Sequence, residues 1–354
     1  MNWLLLFVPV TIALEHLAPE RHLLIFVSSG LAILPLAAWM GRATEQLAER
    51  MGEGVGGLLN ATFGNAAELI IALAALREGL YDVVKASIAG SIVGNILLVL
   101  GAAMTMGGMR HREQTFNPQG ARAQATMMTL AAITLVLPAA YQAALGKEAM
   151  QGLVPLSVSI SIVLLVVYAL YLAFSLVTHS ALFSGSHDPR DEPSSPSPAG
   201  RAAAVLAAST AVIAWMSEIL VGSIQPAAQS LGLGSVFVGV FIVAILGNAA
   251  EHATAVTVAL KDRMDLALSI AIGSSIQVAL FVAPVLVLLS LVIGPRPMDL
   301  AFPAGLVLIV LLAVLISGQV AADGRSDWLK GVQLLAVYVV LGLTFFFMPN
   351  LAPH

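Results

Sequence analysis

The chain contains no cysteine among its 354 residues. Disulfides, thiolate metal centres and thiol nucleophiles are therefore excluded. Charge is also scarce. Charged residues make up 10% of the chain and hydrophobic residues 59%, a balance unsuited to covering the surface of a soluble protein this long. The net charge of −4 singles out no partner by its sign, and nucleic acid is not expected as one. The first residues, MNWLLLFVPVTIALEHL, lack a basic n-region and a small-residue cleavage site. They read as a short first span rather than a cleaved signal. No protease signature is present. Residues 251–255 read EHATA, not the H-E-x-x-H of a zinc peptidase, so no enzyme is expected.

Long apolar runs dominate instead. A spanning helix needs about 20 apolar residues to cross a hydrocarbon core roughly 30 Å thick. Such runs fall near 3–17, 22–40, 55–76, 83–107, 122–145, 152–178, 202–222, 234–260, 265–293, 299–319 and 328–348. Barrel strands would alternate in polarity over short segments. These runs are long and continuous, which predicts an all-α integral membrane protein of about eleven transmembrane helices. With the N-terminus inside, inner loops carry eleven Lys and Arg residues and outer loops five. That bias favours an N-inside, C-outside orientation, as in a prokaryotic plasma (inner) membrane. The stretch HSALFSGSHDPRDEPSSPSPAG (179–200) is the one plainly polar linker. Its histidines, His179 and His187, read as solvated loop residues, and the methionines at 104, 106, 109, 127 and 128 as packing and lipid contacts.

The sequence repeats itself. GNAAE stands at 64–68 and again at 247–251, 183 positions apart. Aligned without gaps, 64–91 and 247–274 share nine of 28 residues, including Asp82 with Asp265, Gly90 with Gly273 and Ser91 with Ser274. A weaker echo pairs Glu45 in GRATEQLA (41–48) with Glu218 in AWMSEILV (214–221). The expected organisation is a first span (1–20), a five-helix repeat (21–178), the linker (179–200) and a second five-helix repeat (201–354). Five is odd, so the halves enter the membrane in opposite senses, an arrangement found in secondary transporters.

The repeated residues are the polar ones. Asn65 and Glu68, like Asn248 and Glu251, are spaced to share one helix face. Gly64 and Gly247 allow either close helix approach or a local break. In the next span of each half, Ser91 lies with Asn95, and Ser274 with Gln277. Every donor in the set is oxygen. Calcium takes about six to eight oxygens at roughly 2.3–2.6 Å in irregular geometry, whereas magnesium demands an octahedron. Soft metals want sulfur or several imidazoles, and His252 lies about 100° around the helix from Glu251. Intramembrane carboxylates mark ion or proton paths. Glu45 and Glu218 read either as pathway residues or as solvated helix ends.

The doubled GNAAE, followed by GSIVGN (90–95) and GSSIQ (273–277), resembles the cation/proton exchanger branch of the cation/Ca2+ exchanger superfamily. The resemblance covers nearly the whole chain beyond the first span. It implies a Ca2+/H+ antiporter with Glu68 and Glu251 as central calcium-binding glutamates and Asn65 and Asn248 beside them. Ser91, Asn95, Ser274 and Gln277 match polar residues of the following helices. Glu45 and Glu218 match acidic residues on mobile helices. Many relatives carry an acidic stretch between the halves; here the linker holds only Asp188, Asp191 and Glu192.

A Na+/Ca2+ exchanger or a monovalent cation/H+ antiporter would share this fold. The repeat position of Asn95 is Val278, so the second half is poor in extra oxygens, which favours proton coupling. A passive channel would differ by uncoupled flux. The implied mechanism is alternating access at one central site, with Ca2+ and at least two protons as alternating cargo. No cofactor is required. Ca2+, protons and the lipid bilayer are the expected partners, and a homo-oligomer stays open.

Overall fold

A computed structural model describes residues 2–180 and 198–347. It is overwhelmingly helical. The apolar runs become helices because a backbone in lipid must satisfy its own hydrogen bonds. Among the described residues, seven helical runs are long and apolar enough to cross a membrane: His22–Met51, Tyr81–His111, Pro118–Thr178, Ala199–Leu231, Ser235–Leu260, Met264–Leu289 and Trp328–Phe346. The run from Pro118 contains two of the expected spans, α6 (Pro118–Leu145) and α7 (Ala149–Ala173). Asn2–Leu17 and Ala304–Val320 are shorter apolar helices. Most of the linker, with His187 and its acidic residues, lies outside the described residues.

Two differences from the sequence reading stand out. The segments expected at 22–40 and 55–76 are not separate spans joined by a loop. Helix α2 runs unbroken from His22 to Phe63, 42 residues or about 63 Å, and α3 (Ala66–Arg77) follows as a 12-residue helix. Polarity between 41 and 51 does not stop a helix, because Ala, Glu, Gln, Leu, Arg and Met are strong helix formers. In addition, the chain forms a short antiparallel ribbon. Strands β1 (Glu113–Thr115) and β2 (Arg325–Asp327) pair with Gln114 opposite Ser326.

The helices form two compact units, and neither coincides with a sequence half. The first contains the described residues up to Ser87, from 198 to Ala250, and from Thr344 onward. Here α2 packs along α8 (Ala199–Leu231), and α1 (Phe7–Leu17) and α3 pack beside them. Gly30 lets α2 approach Leu246 closely: a Cβ there would lie 2.8 Å from Leu246 Cδ1. Arg77, at the end of α3, forms a 2.9 Å ion pair with Glu218 of α8.

The second unit contains the described residues from Ile88 to 180 and from Glu251 to Leu343. Helix α6 packs on α11 (Met264–Gln277) and α13 (Ala304–Val320), and α7 on α12 (Ala283–Leu289). Asn117 caps α6 by accepting from the Gln119 and Gly120 amides, with Pro118 pre-set at the first helical position. Glycines bring α5 (Leu100–His111) and α14 (Trp328–Phe346) together. A side chain at Gly108 would strike the Trp328 backbone, and one at Gly331 would strike Thr105, the small-residue contact that lets membrane helices touch.

Three loops meet at one end of this unit. Buried Gln114 of β1 donates through Nε2 to Ala259 O and Asp262 Oδ1, both at 2.9 Å. The Asn117 amide donates to Asp265 Oδ1 at 2.5 Å. His111 Nε2 lies 3.0 Å from Leu260 O. The loops after α5, after α10 (Ala244–Leu260) and after α13 thus share one side. The expected spans put an even number of crossings between each pair of them.

Candidate functional site

The two GNAAE copies fold differently. In the first, the long helix stops: the Gly64 amide still bonds Asn60 O at 2.8 Å, but Asn65 leaves helical geometry at φ −102°, ψ 25°. Helix α3 starts at Ala66, which puts Glu68 in its first turn. Unpaired amides and the helix dipole favour a negative charge there. In the second copy, GNAAE lies inside α10 without a break, and Asn248 Nδ2 donates to Ala244 O one turn earlier, at 2.9 Å. Its glycine acts by close approach. A Cβ at Gly247 would lie 2.9 Å from Glu68 Cγ, so only glycine leaves this carboxylate its position. The two roles open to a glycine, break and approach, are divided between the copies. Asn65 and Asn248 are both buried. These groups belong to the first unit.

Glu251 begins the part of α10 that belongs to the second unit. It is hydrogen-bonded by Ser274 of α11. Ser274 is also within 3.1 Å of Asn95 Nδ2. Ser91, Asn95 and Ser274 are buried, and Gln277 is the last residue of α11. One oxygen of Glu251, Oε2, is buried with no hydrogen-bond donor among the described residues. A buried carboxylate oxygen in that state is costly unless a cation or proton meets it.

The repeat extends to the backbone. A π-helical turn, Gly94–Val99, follows α4 (Tyr81–Val93), and another, Val278–Val282, follows α11. Shifted by 183 positions, the first covers 277–282. π-turns recur at functional sites because the extra residue re-aims side chains and frees a backbone group. The turns ahead of these helices match as well. Gly79 N bonds Leu76 O and Leu80 N bonds Ala75 O, while Asp262 N bonds Ala259 O and Arg263 N bonds Val258 O. Gly79 has φ +72° and its counterpart Asp262 φ +61°. Sequence identity does not reveal this equivalence, because the residues differ.

Glu45 and Glu218 sit apart from these contacts. Glu45 is exposed on α2, and Glu218 pairs with Arg77, both side chains more than half exposed. Arg77, one of the five basic residues counted in the outer loops, belongs to no repeated motif. His252 is half-buried on α10. Among the described residues, no three His, Asp or Glu side chains converge. Carboxylate, amide and hydroxyl oxygens are donors of the kind that suits calcium.

The chain is similar to known proteins over most of its length. The model of the family described as sodium/calcium exchanger protein matches residues 21–177 and 201–347, on either side of the polar linker. A Ca(2+)/H(+) antiporter of Aphanothece halophytica is 47% identical over 98% of this chain and 96% of its own length. The Ca(2+)/H(+) antiporter ChaA of Bacillus subtilis (strain 168) is 43% identical over 89% of this chain and 90% of its own. The solved structure of native YfkE superposes with a TM-score of 0.82 at 39% identity, covering 97% of this chain and 98% of that one. The chain is an integral membrane protein of the sodium/calcium exchanger protein family.

Proposed function

We propose that this protein is a secondary transporter that exchanges Ca2+ for H+ across a membrane by alternating access, with Glu68 and Glu251 as the carboxylates that bind the ion. The observation that carries the reading is full-length identity of 47% to a protein named as a Ca(2+)/H(+) antiporter. The buried Oε2 of Glu251 supports the choice of that residue, and the repeat supplies Glu68 as its counterpart. Asn65 and Asn248 complete the ligand set with Ser91, Ser274 and Gln277, and Asn95 lies against Ser274. Glu45 and Glu218 belong to the ion pathway rather than the site, and Arg77 holds Glu218 in place.

Coupling follows from electrostatics. Two ionised carboxylates in apolar surroundings are costly. One Ca2+ removes that cost, and so do two protons. The loaded states rearrange readily and the empty charged state does not, so the two cargoes move in opposite directions by turns. No cofactor takes part. The two five-helix repeats, 21–178 and 201–354, supply the inverted symmetry such a cycle uses. In this reading the chain lies in a prokaryotic inner membrane, with its N-terminus in the cytoplasm and its C-terminus outside.

The test is Ca2+ uptake by proteoliposomes loaded at acidic pH in sodium-free buffer, with a dye reporting proton efflux. Uptake should follow the pH gradient and stop when an ionophore collapses it at clamped potential. Glu68→Gln and Glu251→Gln should each abolish it in folded protein. Uptake that needs an outward sodium gradient and ignores pH would replace this reading with sodium coupling.

A further inference from the structure

The chain of contacts Asn95, Ser274, Glu251 has a direction. A serine hydroxyl has one hydrogen, and an ionised carboxylate only accepts. When Glu251 is ionised, Ser274 must therefore spend its hydrogen on Glu251. Whatever lies on the other side of Ser274 Oγ has to donate. Asn95 Nδ2 does so from 3.1 Å. With residue 95 only 1% exposed and Ser274 4%, water is a poor substitute.

The arrangement belongs to one half of the repeat. Ser274 has its counterpart in Ser91, but the counterpart of Asn95 is Val278, which has no side-chain donor. Asn95 also sits second in the π-helical turn Gly94–Val99. A buried amide placed there, in one half and not the other, has a role that the doubled motif does not require.

We propose that Asn95 is a positioning residue whose amide hydrogen holds the Ser274 hydroxyl turned toward Glu251, fixing that carboxylate for Ca2+. This rests on the reading that Glu251 binds the ion. It changes the expected role of residue 95. As a ligand, Asn95 would act through its oxygen. As a positioning residue, it acts through its nitrogen and only by way of Ser274.

Asn95→Asp separates the two roles. The substitution keeps size and shape but replaces the donor with a carboxylate that, when ionised, only accepts. Ser274 must then turn its hydrogen toward residue 95 and away from Glu251. The KM for Ca2+ in the proteoliposome assay should rise about tenfold, as it should for Ser274→Ala, the size of losing one hydrogen bond to a charged group. Made on the Ser274→Ala background, the change at residue 95 should cost less than about twofold more, because the contact it acts through is already gone. Asn95→Leu, which removes the donor without adding charge, should behave alike and keeps the test open if the aspartate variant does not insert. Where uptake is too slow for a KM, equilibrium Ca2+ binding to the purified protein is read in the same way.

A direct ligand gives the opposite pattern. An added negative charge would leave the KM unchanged or lower it, and the effect would be independent of Ser274. Either result overturns the proposal. Glu251→Gln is measured alongside. If it keeps wild-type exchange, the Ca2+ site itself is wrong. If it abolishes exchange while Asn95 and Ser274 act independently, only the positioning role fails.

Discussion

Replacing Gly247 with alanine should damage ion binding while leaving the fold intact. The new Cβ would lie 2.9 Å from Glu68 Cγ and 3.4 Å from Cδ. Carbon atoms in contact prefer about 3.5–4.0 Å, so Glu68 must retreat by roughly 0.6 Å or more. Calcium–oxygen distances occupy a window only about 0.3 Å wide, so the retreat takes the carboxylate out of range. The KM for Ca2+ should rise about tenfold or more, on the scale by which small displacements at a reacting centre are felt. Stability should barely change. Alanine gains up to about 1 kcal/mol over glycine in a helix, and the strain falls on a side chain that can turn away. Proton-driven uptake and a thermal melt read the two effects separately, with a melting shift of no more than about 3 °C expected. Gly273→Ala is the control: this motif glycine has no atom within 4 Å of an added Cβ. Wild-type KM in Gly247→Ala, or an equal loss in Gly273→Ala, would refute the reasoning.

Other outcomes follow from the loops and the orientation. Asp262→Ala should cost about 2 kcal/mol, roughly half from the left-handed backbone and half from the bond to Gln114, while Asp262→Gly should lose only the second part; thermal melts of both variants check this. The Lys330 ammonium, hydrogen-bonded to Asp323 at 2.6 Å, holds that carboxyl below the usual aspartate range. A depressed folded value means the pair's stability is present above the unfolded value and lost as pH falls through the folded one. The aspartate is mostly exposed, so Asp323→Asn should cost less than about 1 kcal/mol at pH 7, and its melting difference from wild type should vanish in strong acid. A reporter in the 179–200 linker should face the cytoplasm and one after the last residue the outside; both on one side would remove the odd number of crossings.

Much of this was legible because apolar length and rare polar residues are strong signals in a membrane protein. The helices were readable from apolar length, and the buried Asn65 and Asn248 from the repeat. Four things were not. Helix α2 continues through its charged stretch because helix propensity does not depend on polarity. The break at Gly64–Asn65 and the unbroken helix at Gly247–Asn248 arise from identical residues, so packing decides between them and local sequence does not. The matched turns at Gly79 and Asp262 are hidden because two different residues tolerate the same left-handed backbone. Gln114 signalled nothing, although it joins two loops more than a hundred positions apart.

The way the compact units divide the chain bears on how the protein is made. Each unit takes helices from before and after the linker, so the ribosome completes neither until late in synthesis. Helix α2 emerges with its chief packing partner, α8, still untranslated. β1 likewise waits more than two hundred residues for β2. The first half must therefore rest in the bilayer as inserted but unassembled helices. Expressed alone it should be a substrate for quality-control proteolysis, and co-expression of the two halves, cut within the linker, should rescue both from degradation.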